Sequence, residues 1–368
     1  MNRFTSRRLA DGREITYVDD PDAPVRSAVD TRPLGDRLPS GELRRDALVG
    51  DWVAVAGHRQ GRTFLPPKDE CPLCPTGRGS VPSEVPETSY EVAVFENRFP
   101  SYAPVSLGAR SVDASGLFET RPALGRCEVV CFTSDHEGSF KDLPVERVRR
   151  VVDTWAERTT ALGQLEQVEH VFCFENRGRE IGVTLHHPHG QIYAYPYLPA
   201  RTAQLLARAQ EHQAATGRLL GADLLAAEQA DGSRIVLTSE HWSAYVPFAA
   251  RWPVEVHLAP HRDVPDLPAL DDAERDDLAV VYRELLQRLD RYYVGPDGEP
   301  ITLPYMAAWH QAPVRVGRDA SRLHLQLMSV LRAPGKLKYL AGSESGVGGW
   351  ITDVPPERQA ARLREVAS

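Results

Sequence analysis

The sequence predicts an α+β fold, built from a duplicated strand–helix–strand unit with mainly antiparallel sheet. The tripeptide Asp142-Leu143-Pro144 recurs as Asp266-Leu267-Pro268, each time just ahead of a helical stretch. Ser134-Asp135-His136 after one strand is echoed by Ala259-Pro260-His261 after another, and His187-Pro188-His189-Gly190-Gln191 is paralleled by Leu323-His324-Leu325-Gln326-Leu327. Echoes that keep their order favour a repeated unit. No Gly-rich phosphate loop joins a strand to a helix, which argues against a doubly wound parallel sheet. At 368 residues, two units of roughly 150 residues each are expected.

Taken in order, residues 1–40 are rich in Asp, Pro and Arg without sustained periodicity, and are expected to form an irregular arm. A strand over Asp51–Ala56 leads into the turn Gly57-His58-Arg59-Gln60-Gly61-Arg62. Prolines break residues 66–90 into a loop. Tyr90–Phe95 and Glu128–Phe132 read as strands. Val148, Val151, Val152, Trp155, Thr159 and Leu162 then fall at helical spacing, and a strand follows from Val168 to Glu175. The first repeat, 41–225, gives way to a second over 226–368. That second unit holds a strand at Val254–Leu258 and a helix striped by Leu278, Val281, Tyr282, Leu285, Leu286 and Leu289. Strands near Tyr305–Trp309 and Leu323–Leu327 follow, with a short amphipathic helix over Pro355–Val366.

Composition narrows the function classes. Hydrophobic residues make up 42% and charged residues 26%, which excludes a disordered chain. No apolar run approaches the roughly 18 residues needed to cross a bilayer. The start, Met1-Asn2-Arg3-Phe4-Thr5-Ser6-Arg7-Arg8, has no apolar segment behind it, so a cytoplasmic protein is expected. A net charge of −8 is the opposite of a nucleic-acid binder's basic surplus. The five cysteines, an odd number, do not read as a disulfide framework.

Three segments carry chemistry. The first is Phe174-Glu175-Asn176-Arg177-Gly178, then Gly182, then His187-Pro188-His189-Gly190-Gln191. Pro188 pushes His187 toward extended backbone, and in a strand His187, His189 and Gln191 would share one face. An imidazole there can be a nucleophile, a base or a metal ligand; the plainer reading is a polar edge strand. The second is Cys71-Pro72-Leu73-Cys74, whose two thiolates suit tetrahedral zinc. No second Cys-x-x-Cys exists, so histidine must complete such a site, with His136 and His187 as candidates. Cys127, Cys131 and Cys173 lie in apolar strands as packed residues. The third is the pair Arg59 and Arg62, whose guanidinium forks suit a diphosphate, although an arginine pair alone is more often a solvated turn.

The long run from Phe174 to Gln191 resembles the active-site signature of galactose-1-phosphate uridylyltransferases. The likeness extends from about Arg44 to Glu357-Arg358-Gln359-Ala360-Ala361-Arg362-Leu363-Arg364. That family belongs to the histidine-triad-like superfamily, which implies two half-barrel repeats with flanking helices. The resemblance implies a ping-pong exchange in which UDP-glucose and galactose 1-phosphate give glucose 1-phosphate and UDP-galactose, as in Leloir galactose metabolism. His189 matches the nucleophile that becomes uridylyl-histidine, and Gln191 the residue that hydrogen-bonds the transferred phosphoryl group. Cys71, Cys74, His136 and His187 match the ligands of a structural Zn2+. Arg59 and Arg62 match phosphate contacts, Asn97 and Phe99 positions around the uridine, and Asn176, Gly182 and Thr184 the diphosphate wall. Lys338 and Glu344 match hexose contacts supplied by the partner subunit, which implies a homodimer with shared sites.

The chain departs from the family's pattern in two places. His310 and His324 match ligands of a second, iron-type site, but Gln326 replaces its third histidine and Leu205 its glutamate, so that site is expected to be absent. Ser343 stands where a tyrosine is usual, and Gly346–Trp350 is unlike the family's sugar loop. These departures keep two alternatives open. One is a phosphorylase of ADP-sugars or dinucleoside polyphosphates from the same superfamily; the other is a zinc-stabilised nucleotide-binding module without catalysis.

Overall fold

An eleven-stranded antiparallel sheet organises the chain, as seen in a computed structural model that describes residues 2–61, 65–79, 81–108 and 115–367. Its strands come from both halves. The first contributes β1 (Arg3–Arg8) and β2 (Glu14–Asp19); β3 (Glu42–Arg45), β4 (Trp52–Val55) and β6 (Thr120–Pro122) form a small side sheet around β5 (Val92–Glu96) in the sequence. Then come β7 (Arg126–Cys131), α1 (Val145–Gly163), β8 (His170–Arg177) and β9 (His189–Tyr195). Helices α2 (Ala200–Thr216) and α3 (Leu220–Asp231) lead into β10 (Ile235–Thr238), β11 (Trp242–Tyr245) and β12 (Val254–Pro260). The second half closes with α4 (Asp272–Asp290), β13 (Tyr305–His310), β14 (His324–Ser329) and α5 (Pro356–Glu365).

Strand order makes the repeat visible. The sheet runs β1-β2-β5-β7-β9-β8-β13-β14-β12-β11-β10. It is nearly symmetric about the β8–β13 pair, where Phe174 lies opposite Ala308. Outward from that pair, β9 answers to β14 and β7 to β12. Each repeat sends its long helix across between equivalent strands, α1 after β7 and α4 after β12.

Apolar periodicity explains the helix layer. Val148, Val151, Val152, Trp155 and Leu162 of α1 are buried, as are Leu278, Val281, Tyr282, Leu285, Leu286 and Leu289 of α4. Both stripes join one core with the sheet. The start of α4 is held by a reciprocal cap: Asp271 accepts from the Glu274 N–H, and Glu274 accepts from the Asp271 N–H. Inside the first repeat, the Arg158 guanidinium donates to both oxygens of Glu128 at 3.0 and 2.9 Å, so a charge pair under the sheet is satisfied in bidentate fashion.

Two expectations need correction. Residues 1–40 are not an irregular arm throughout, because β1 and β2 pair with each other and β2 extends the main sheet through β5. Tyr17 and Ile15 are buried there; the apolar alternation of Glu14–Asp19 is only six residues long and is masked by the charged residues flanking it. The repeat boundary expected at 225/226 also falls inside α3.

The N-terminal strands do more than finish an edge. Arg13, 1% exposed, donates to the Glu96 carbonyl at 2.7 Å and to the Glu84 carboxylate at 2.5 Å. Removing one partner from a buried ion pair leaves an uncompensated charge and typically costs about 3–5 kcal/mol. Arg13→Ala should therefore lower the unfolding free energy by that amount in a denaturant titration; a change under about 1 kcal/mol would show that the pair is not holding the N-terminus.

Candidate active site

The loop after β4 folds back so that two thiols meet two imidazoles. Cys74 N–H donates to the Cys71 carbonyl at 3.4 Å, a turn that brings both sulfurs to one point. His136 comes from the loop after β7, and His187 from the bend just before β9. Ligand atoms of Cys71, Cys74, His136 and His187 all lie within 4.8 Å of one another. Cys74 Sγ is 3.2 Å from His136 Nδ1 and 3.5 Å from His187 Nδ1. Metal–sulfur and metal–nitrogen bonds of about 2.3 and 2.0 Å at a tetrahedral angle put such donors about 3.5 Å apart. The residues present therefore fit a four-coordinate ion. Burial pushes the Cys74 thiol up to about 12, so a cation at this point is what would make it a thiolate.

His187 is held through one of its ring nitrogens. Its Nε2–H faces the Thr133 carbonyl at 2.8 Å and the Tyr90 hydroxyl oxygen at 2.9 Å, and Tyr90 in turn donates to the Leu73 carbonyl at 3.0 Å. That fixes the tautomer and leaves Nδ1 free to bind a cation. His187 therefore does not share a face with His189 and Gln191, as strand alternation suggests. The strand begins only at His189, and the bend at 187–188 turns His187 into the cluster.

His189 receives its orientation from this clamp. Its Nδ1–H donates to the His187 carbonyl at 2.7 Å, so the lone pair on Nε2 is the free one. Burial lowers the affinity of His189 for a proton and keeps the ring neutral. Two residues on, Gln191 takes the same side of β9, because the strand's burial alternates from His189 to Tyr195. Gly190 between them has a steric reason: a Cβ there would sit 2.8 Å from the Phe132 ring and 3.0 Å from the Phe174 carbonyl.

His189 and Gln191 open onto a cavity of about 290 Å³. Arg59, Asn97, Phe99, Asn176, Gly182 and Thr184 line it as well, so the structure brings together most of the residues singled out from the sequence. Arg59 donates to the Phe99 carbonyl at 2.7 Å, and the Phe99 N–H to Asn97 Oδ1 at 2.8 Å, which locks this wall. Gly182 has φ +80, a left-handed turn that brings the backbone of 182–184 to the rim. Arg62 lies outside the described residues. Lys338 and Glu344 do not line this cavity. They pair with each other at 3.5 Å beside Trp350, in the second repeat.

Sequence reasoning missed other wall residues. Tyr193 is the next member of the His189–Gln191 alternation and could have been found by extending it. Arg98 and Glu84 had no such signal: Glu84 lines the cavity while its carboxylate is held by Arg13 and Arg32, distant in sequence. Only alternate residues of the Phe174–Arg177 run face the cavity. Glu175 and Arg177 point to the helix layer, where Arg177 pairs with Asp290 at 3.0 Å and stacks 4.4 Å over Tyr305. Elsewhere, His310 Nε2 donates to Gln326 Oε1 at 3.0 Å and Gln326 Nε2 to Glu255 at 2.7 Å, so Gln326 is tied into a side-chain chain. Leu205 and His324 lie close by.

With the geometry in place, comparison with known proteins decides the family. Residues 35–199 match the family described as galactose-1-phosphate uridyl transferase, N-terminal domain, and residues 206–368 match its C-terminal domain. The chain belongs to the galactose-1-phosphate uridylyltransferase family. A member from Streptomyces lividans is 50% identical over 99% of this chain and 98% of its own length. Another from Thermotoga maritima is 36% identical over 88% and 98%. Among solved structures, one titled as the structure of uridylyltransferase superposes with a TM-score of 0.78 at 31% identity, covering 88% of this chain and 98% of its own. An ADP-glucose phosphorylase from Arabidopsis thaliana shares the fold, with a TM-score of 0.65 at 22% identity over 88% and 98%.

Two outcomes test the site. Elemental analysis of the purified protein should find one metal ion per chain, lost in Cys74→Ser together with several degrees of melting temperature; an unchanged melting temperature on metal loss would contradict a structural site. Burial raises the Glu175 carboxyl from 4.5 to about 7. The unfolded chain ionises first as pH rises, so this group removes stability between those values and restores none above. Glu175→Gln should gain on the wild type over that window, by on the order of 1–3 kcal/mol; a constant difference from pH 4.5 to 7 would refute the shift.

Proposed function

We propose that the protein is a galactose-1-phosphate uridylyltransferase, converting UDP-glucose and galactose 1-phosphate into glucose 1-phosphate and UDP-galactose. The observation that carries this is His189: a neutral imidazole, anchored at Nδ1, presenting Nε2 to a cavity walled by Arg59 and Gln191. Nε2 attacks the α-phosphorus of UDP-glucose. The bond from that phosphorus to the bridging oxygen breaks, and its electron pair leaves on glucose 1-phosphate. In the second half-reaction a phosphate oxygen of galactose 1-phosphate attacks the same phosphorus, the Nε2–P bond breaks, and the imidazole is regenerated. Neither leaving group needs a proton, so positioning and charge stabilisation carry the chemistry.

Each residue then has a role. The Nδ1–H bond to the His187 carbonyl strengthens as positive charge develops on the ring, which favours the uridylylated state. The Gln191 amide donates to a non-bridging phosphoryl oxygen and, having no titratable proton, does not activate water. Arg59 meets the diphosphate, with Arg62 assigned the same task. Asn97 and Phe99 hold the uridine, and Asn176, Gly182 and Thr184 the diphosphate wall. Cys71, Cys74, His136 and His187 hold the metal, which we assign as zinc, and its contribution is to fix the bend that carries the His187 carbonyl.

Lys338 and Glu344 are assigned to the hexose. That they do not line the His189 cavity of their own chain supports a homodimer in which each copy completes the other's site. Paired thiolate ligands fit a reducing compartment, and we place the enzyme in the cytoplasm. No helix among the described residues is long and apolar enough to cross a membrane.

Incubation with UDP-glucose labelled in the uridylyl group should leave label on His189, and His189→Gly should cut transfer by at least about a thousandfold. Full transfer by that variant would sink the assignment, and a preference for ADP-glucose with phosphate as acceptor would make the protein a phosphorylase. Shared sites predict complementation. Inactive Lys338→Ala and His189→Gly chains, unfolded and refolded together, should recover roughly a quarter of wild-type activity, since half the dimers are mixed and each has one intact site. No recovery despite mixed dimers would place Lys338 outside the partner's site.

A further inference from the structure

Residues 1–34 precede the stretch that matches the family's N-terminal domain, which begins at residue 35. They are strapped at three points to the loop over residues 84–89. The Arg26 guanidinium donates to the Ser89 carbonyl at 2.7 Å. The Glu87 carboxylate accepts from the backbone N–H groups of Ser27 and Ala28 at 2.6 and 2.8 Å. Arg13 holds Oε2 of Glu84 at 2.5 Å, and Arg32 holds its Oε1 at 2.8 Å. From the other side the Glu84 N–H donates to the Pro72 carbonyl at 2.8 Å, which ties the loop to the turn at residues 71–74.

Among the described residues that line the His189 cavity, Glu84 is the only one with a carboxylate. A carboxylate is out of place beside a diphosphate unless it is aimed at hydrogen-bond donors, because like charges repel. Its position selects the donors. Arg98 Nη1 lies 3.8 Å from Glu84 Oε1, and Arg13, which holds Oε2, also donates to the Glu96 carbonyl at 2.7 Å. The carboxylate therefore sits against residues 96–99, the wall assigned to the uridine. A uracil edge suits it poorly, since the one ring N–H is flanked by two carbonyl oxygens. The two neighbouring hydroxyls of a ribose are donors without such flanks. An ionised carboxylate has about four acceptor directions, so some remain after its arginines are served.

Given the uridine placement at Asn97 and Phe99, on which this rests, we infer that Glu84 accepts from the 2′- and 3′-hydroxyls of the bound ribose and makes the site selective for ribonucleotides. Arg13 and Arg32 are positioning residues. Two guanidiniums remove the rotational freedom of the carboxylate before the nucleotide arrives, so the hydroxyls meet a preformed acceptor. The N-terminal segment is thereby part of nucleotide recognition, although none of its residues lines the cavity.

Equilibrium dialysis of the full-length protein against radiolabelled UMP and 2′,3′-dideoxyUMP tests this. The wild type should bind UMP at least about tenfold more tightly, the worth of a hydrogen bond to a charged acceptor. Glu84→Ala should weaken UMP and leave the dideoxy nucleotide within about twofold, so that the preference disappears. Arg32→Ala, which keeps Glu84 but releases one of its oxygens, should lower the preference part-way and serves if Glu84→Ala does not fold. In turnover, Glu84→Ala should raise the KM for UDP-glucose about tenfold with kcat within about twofold. Equal affinity of the wild type for both nucleotides overturns the inference. So does a variant that weakens both equally, which marks Glu84 as a support of the fold or a contact to the base. A wild type that binds AMP and not UMP overturns the uridylyl reading by itself; the ribose inference is then decided by the same comparison between AMP and 2′,3′-dideoxyAMP.

Discussion

One peptide carbonyl, that of His187, connects everything the protein does at its centre. The side chain of the same residue is fixed by a cluster of sulfur and nitrogen donors, and its Nε2–H by Thr133 and Tyr90. The carbonyl therefore cannot swing, and the His189 Nδ1–H that depends on it is aimed once and for all. A histidine nucleophile needs the correct tautomer and the correct direction of its lone pair, and a single hydrogen bond to a rigid acceptor supplies both. The rest of the fold keeps this bend and its strand in place. Gly190 lets Phe132 pack against β9, and β7 and β8 flank the strand on both sides.

Duplication gave the protein two copies of this frame, and the copies have been used differently. In the first repeat the histidine at the strand's start faces open space, and arginine and aromatic side chains surround it. In the second the equivalent histidine is enclosed by two other imidazoles. The common sheet and helix core bury both halves together, so neither can drift in geometry without the other. Function has diverged through side chains on a frame held constant by shared packing.

Local signals made much of this legible. The helical stripes of α1 and α4 and the strands flanking them follow from periodicity alone, because each has a single face toward the core. The cluster at Cys71, Cys74, His136 and His187 was legible only in part: the thiol pair is a local pattern, whereas the histidines come from loops far apart, so the sequence offered them as candidates and the family resemblance matched them as ligands. Strand alternation misplaced His187, since a bend before β9 reverses its direction and nothing in a period-2 reading marks where a strand begins. The burial of the N-terminal strands was hidden for a related reason. Arg13 looks like a surface residue until Glu84, 71 positions away in sequence, is brought against it. Long-range ion pairs leave no trace in local sequence, and they build the back of the cavity beside His189.

If His189 is the nucleophile, the protein performs half of its reaction without the second substrate. Labelled glucose 1-phosphate incubated with the enzyme and unlabelled UDP-glucose, in the absence of galactose 1-phosphate, should appear in UDP-glucose at a rate comparable with turnover. Exchange that occurs only when galactose 1-phosphate is added would mean direct transfer between the two sugars, and would contradict a covalent intermediate on His189.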